Sequence, residues 1–145
     1  MLAAPTPIFL GMDSRSRRLR LAQLVDLHPD VRLLGHAPVD QSCLHATIAR
    51  RPEVLVLAPA AGRAAEAGHL VANVRRGSPS MTILALIDTE ERPASLLAGE
   101  LSADRFLPAA APLDQVLRAV LDAVRARRAV EAAARDLMDR RRRNR

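Results

Sequence analysis

Lysine does not occur in this 145-residue chain; all 22 basic residues are arginine. That excludes a phosphate-loop lysine, a Schiff-base lysine and any mechanism needing a titratable ammonium. Tryptophan and tyrosine are missing as well, and Phe9 and Phe106 are the two aromatic residues. Base stacking, aromatic cages and phenol chemistry go with them. Cys43 is the single cysteine, so there is no intrachain disulfide and no cysteine-based zinc cluster, and a reducing, cytoplasmic setting is expected. No apolar run approaches the roughly 18 to 20 residues that span a bilayer. Residues 1–7 lack the basic-then-apolar pattern of a secretory leader. No membrane partner is expected.

With 49% hydrophobic and 26% charged residues, the composition is that of one packed domain. The net charge of +6 is concentrated at one end. Residues 125–145 hold nine Arg against Glu131, Asp136 and Asp139, whereas residues 1–124 balance 13 Arg with 13 acids. A neutral body with a cationic tail argues against a basic nucleic-acid groove across the domain.

Short apolar runs alternate with helical periodicity. Residues 7–12 (PIFLGM), 31–37, 54–58 (VLVLA), 81–87 and 105–107 read as five strands. Leu19, Leu21, Leu24, Val25 and Leu27 recur at helical spacing behind Ser14, a predicted N-cap. A second helix opens at Asp40 or Ser42 and stops at Arg51-Pro52. A third covers residues 64–76, weakened at Gly68 by about 1 kcal/mol, and a fourth, interrupted by Pro93, covers residues 89–99. The last starts at Pro112 with Leu113, Val116, Leu117, Val120, Leu121 and Val124 on one stripe. Wholly apolar strands between such helices predict an α/β fold. Its parallel five-stranded sheet has helices on both faces, in the flavodoxin-like order 2-1-3-4-5. The crevice then lies at the carboxyl ends of the strands, near Met12, Asp13, Ser14, Ala58, Pro59, Ile87, Asp88 and Pro108.

Three phrases in this order resemble a response-regulator receiver domain of the CheY-like family over residues 7–126: LHPDVRLLGHA at 27–37, RPEVLVL at 51–57, and ADRFL at 103–107 followed by PLDQVL at 112–117. The resemblance implies a (βα)5 three-layer sandwich and a role in bacterial two-component-type signalling. It also implies a phosphoacceptor Asp ending strand three, an acidic pair after strand one for Mg²⁺, a hydroxyl after strand four and a lysine after strand five. A carboxylate nucleophile, hard-cation ligands and phosphoryl-binding groups are what that chemistry needs.

Carried over residue by residue, the acceptor falls on Ala58. The acidic pair falls on Met12 and Asp13, the hydroxyl on Ile87 (or Leu86 one residue earlier) and the lysine on Pro108. Asp13 alone matches. Residues 54–65 contain no Asp or Glu, so a small shift of alignment does not restore the acceptor. On this resemblance the chain is similar to a degenerate receiver, a pseudo-receiver without a phosphoacceptor. The plainer role of Asp13 is to help cap the next helix, and the apolar strand ends fill a former ion site.

Other chemistry is not legible. His28, His36, His45 and His69 form no H-x-x-x-H pair, there is no G-x-S-x-G, and Gly11 is the single Gly near strand one. No enzyme activity, cofactor or metal is expected. Residues 127–145 continue the last helix as an Arg-rich, partly disordered extension, with Ala126, Val130, Ala133, Ala134, Leu137 and Met138 on a narrow stripe interrupted at Arg127-Arg128.

The expected function is a stand-alone, phosphorylation-independent module acting by protein–protein contact, with no output domain in the short tail. The expected partner is a second copy or a larger regulator. The family's usual dimer face places Leu96, Leu97, Arg105, Leu113, Leu117 and Arg118 at the contact, extended by Val130 and Leu137. The alternative is nonspecific phosphate contact by Arg140, Arg141, Arg142, Arg143 and Arg145.

Overall fold

The computed structural model describes residues 4–88 and 103–145. The helix expected over residues 89–99, and with it Leu96 and Leu97, lies outside the described residues. The described elements are, in chain order, β1 (Thr6–Met12), α1 (Arg15–Asp26), β2 (Val31–Ala37), α2 (Gln41–Arg50), β3 (Val54–Ala58), α3 (Ala64–Gly77), β4 (Thr82–Leu86), β5 (Arg105–Leu107) and α4 (Leu113–Arg143). All five strands are parallel, in the order β2-β1-β3-β4-β5. The sheet is the expected one.

The period-two alternation of a strand divides the core into two layers. Ile8, Leu10, Met12, Val54, Val56, Leu84 and Leu86 point to one face, where they pack with Leu21 and Val25 of α1 and Val116, Val120 and Val124 of α4. Phe9, Leu55, Leu57, Ile83, Ala85 and Ile87 point to the other, against Cys43 of α2 and Leu70, Val71 and Val74 of α3. Because the three central strands are covered on both faces, their runs are apolar from Pro7 in β1, Val54 in β3 and Ile83 in β4 onward. Edge strand β2 is mostly half-buried.

Local chemistry sets the boundaries. Ser14 Oγ accepts from the Arg17 N–H at the start of α1, and Asp40 Oδ1 accepts from the Cys43 N–H at the start of α2. Arg51 closes α2 in the left-handed region (φ 49°), the conformation that ends many helices. Gly11 is required by close approach. A Cβ there would stand 2.7 Å from Cys43 Sγ and 2.9 Å from Leu57 Cδ2.

α4 is 31 residues long and runs through Arg143. The Arg127-Arg128 pair, which interrupts its stripe, fastens it to the amino-terminal edge of the sheet. Arg127 Nη1 donates to Ser80 O at 2.7 Å and Thr82 Oγ1 at 3.1 Å. Arg128 donates to Asp30 Oδ1 at 2.7 Å and Ala4 O at 2.9 Å. From residue 129 onward the helix is exposed.

Candidate functional site

Two register facts build the crevice at the carboxyl ends of the strands. Met12 pairs with Ala58 across β1 and β3, and the Asp13 N–H donates to Ala58 O at 3.0 Å just beyond. The ends of β1 and β3 are thus side by side, with Asp13 at their rim. Met12 is fully buried beneath it. A crevice of about 250 Å³ opens above, bordered by Asp13, Ser14, Arg17, Ala58, Leu86 and Ala109 among others.

Asp13 does not cap α1; Ser14 does that. Its carboxylate ties three chain segments together. Oδ1 accepts from the Val39 N–H at 2.9 Å, in the loop after β2. Oδ2 accepts from the Ala60 N–H at 2.7 Å and from Arg63 Nη1 at 2.7 Å, both in the loop after β3. Arg63 Nη2 donates in turn to Val39 O at 2.9 Å. The Asp13 side chain is 11% exposed and that of Arg63 38%. A guanidinium from this chain therefore supplies the positive charge that a bound cation would bring to an acidic strand end.

The other predicted site residues separate into those the crevice uses and those it does not. Ala58 sits at the end of β3 and presents a methyl group. Leu86, on the same parity as Met12, lines the crevice, whereas Ile87 is 1% exposed and packs into the opposite layer with α2 and α3. Pro108 is exposed; Ala109, one residue on, forms the wall. Asp88 serves the loop after β5, with Oδ1 accepting from the Ala109 N–H at 3.0 Å. Glu53 lies at the far end of β3, where its N–H donates to Pro7 O.

Two arginines that the sequence reading left aside close the rim. Arg17 Nη2 donates to Ala111 O and Arg18 Nη1 to Met12 O, each at 2.7 Å. Arg63 and Arg17 carried no motif. Their only signal was position, shortly after β3 and in the first turn of α1.

Of the expected contact residues, Leu113 and Leu117 are half-buried against the α1–α4 layer. Arg118 is exposed, and Arg105 stands 3.9 Å from Asp122. Arg140, Arg141, Arg142, Arg143 and Arg145 are exposed at the end of α4.

A 2-1-3-4-5 parallel sheet, helices on both faces and a carboxyl-end crevice with an acidic residue after β1 define the receiver fold. Solved structures agree. The signal receiver domain of the putative response regulator NarL from Mycobacterium tuberculosis is 20% identical, covering 85% of this chain and 98% of that one with a TM-score of 0.66. The receiver domain of AraT, a response regulator from Geobacillus stearothermophilus, is 18% identical, with 88% and 98% covered and a TM-score of 0.67. The response regulator domain of Thermotoga maritima CheB is 19% identical, with 84% and 95% covered and a TM-score of 0.62. No protein-family model matches the chain, and no curated protein matches it. Among the described residues, no helix is long and apolar enough to cross a membrane.

Proposed function

We propose that this chain is a receiver-fold signalling module that works without aspartyl phosphate and acts through protein contacts in a two-component-type system. The observation that carries this reading is the pairing of Ala58, at the acceptor position, with an Asp13 already engaged by Arg63 and two backbone N–H groups. A methyl group cannot attack phosphorus. A carboxylate with three donors between 2.7 and 2.9 Å has little left to offer Mg²⁺. The module is non-enzymatic: it presents a surface rather than a reaction.

That surface is the face around β5 and α4, with Arg105, Leu113, Leu117 and Arg118, which meets a second copy or a larger regulator. Two measurements test the reading. Titration with beryllofluoride and Mg²⁺, followed by amide NMR, is expected to leave the resonances of Asp13, Ala58 and Leu86 unmoved; saturable shifts at those residues would overturn it. Hydrogen exchange across a dilution series is expected to show concentration-dependent protection of Leu113–Arg118, and uniform exchange at every concentration would remove self-association.

The nucleic-acid reading draws on one observation, the exposed arginines of residues 140–145 at the end of an ordered helix. Deleting residues 139–145 would then abolish binding to DNA and leave a dimer of the body intact.

A further inference from the structure

Beyond Arg128, α4 keeps an apolar seam that the domain does not cover. Val130 is 69% exposed and Leu137 54%. Ala126, Val130, Ala133 and Leu137 follow one another at intervals of four, three and four residues, and Arg140 comes three later. This alternation has the spacing of a coiled-coil seam, over two heptads. Ala129 and Ala134 flank its first half. Arg141 and Arg143 flank Arg140 in its second half, while Asp136 is paired to Arg140 of its own helix at 3.2 Å. The seam is therefore apolar for two turns and cationic in the next.

Charge decides what fits it. A second copy laid parallel sets Arg140 against Arg140. Laid antiparallel about Ala133, which sets Val130 near Asp136 and Leu137 near Ala129, it brings Arg140–Arg143 near Arg125, Arg127 and Arg128. Both repel. Nucleic-acid phosphates satisfy the arginines but leave Val130 and Leu137 in water. An acidic amphipathic helix satisfies both halves.

We propose that the exposed end of α4, Ala126–Arg143, docks an amphipathic helix of a partner protein. The partner's seam is apolar opposite Val130 and Leu137 and acidic opposite Arg140, Arg141 and Arg143. The proposal rests on the reading that the chain acts by protein contact, and it names the chemistry of that partner.

The test uses the full chain and a synthetic peptide of about three heptads with Leu at both seam positions and Glu beside them. A Lys counterpart and a duplex DNA serve as comparisons, all followed by fluorescence anisotropy. Val130 and Leu137 are exposed, so Val130→Ser/Leu137→Ser leaves the fold intact, which circular dichroism checks. The Glu peptide is expected to bind, the Lys peptide not to bind, and the double variant to weaken Glu-peptide binding by about tenfold or more. Replacing Arg140–Arg143 by Gln is expected to weaken it as well. Three results would overturn the proposal: no Glu-peptide binding, Glu-peptide binding indifferent to the double variant, or self-association of the chain that Leu137→Ser dissolves. DNA binding unchanged by the double variant, with no peptide binding, would transfer the tail to nucleic acid. None of these outcomes bears on the beryllofluoride titration, so the two readings fail separately.

Discussion

Asp13 joins the loops after β2 and β3 through a single carboxylate, and its removal strands several donors at once. Asp13→Ala leaves the N–H groups of Val39 and Ala60 and the Arg63 guanidinium without their acceptor; urea denaturation is expected to show a loss of about 2–4 kcal/mol. Arg63→Met is expected to cost less, about 1–2 kcal/mol, because Arg63 is partly solvated and the two backbone donors remain. An equal or larger loss from Arg63→Met would mean that the ion pair, rather than the backbone bonds, holds the loops.

Two other residues make statements about pH. At Asp40, burial pushes the carboxyl up, but the N–H groups of Cys43 and Ser42, the Ser42 hydroxyl and the Arg63 charge together hold it below its ordinary 3.8. Its contribution is present above that value and is lost as pH falls through the lower folded one. The stability difference between wild type and Asp40→Asn, small at neutral pH because Asn caps a helix nearly as well as Asp, is thus expected to shrink further in acid. Burial raises the Cys43 thiol from 9.0 to about 11, and the negative charges of Asp40 and Asp13 push it the same way. Stability from the neutral thiol is present below pH 9 and declines as pH rises towards about 11. Thiol reagents are expected to label Cys43 only after unfolding; rapid labelling of the native protein would contradict its burial.

α4 separates what is local in the sequence from what is not. Its apolar stripe and Pro112 start were plain in the sequence, since periodicity is a local property. Arg127 and Arg128 were not, because their partners Ser80, Thr82, Asp30 and Ala4 are distant in sequence and meet only when the sheet is assembled. The same holds for Arg63. Nothing local marks a residue in the loop after β3 as the counter-charge of one just after β1. Parity also separated neighbours that alignment could not: Leu86 shares Met12's face and reaches the crevice, while Ile87 turns to the other layer. Arg127→Ala is expected to destabilise the domain by about 1–2 kcal/mol through the lost bonds to Ser80 and Thr82. Truncation after Ala129 is expected to leave the thermal midpoint nearly unchanged, because the removed residues are exposed. A large drop on truncation would place the tail within the folding unit.

The sheet itself was legible as a whole. Continuous apolar runs separated by helices allow few right-handed parallel arrangements, and the observed order is among them. The same completeness that makes the fold robust leaves the crevice with little chemistry: a methyl from Ala58, an apolar wall at Leu86 and Ala109, and one carboxylate claimed by its own chain. In a receiver fold these are the places where a phosphoryl group would be accepted, held and read. Intact-mass spectrometry after incubation with acetyl phosphate and Mg²⁺ addresses this at its source. The chain is expected to keep its unmodified mass at every time point. An acid-stable, hydroxylamine-labile phosphoryl adduct on any aspartate bordering the crevice would show that it is still a phosphorylated switch.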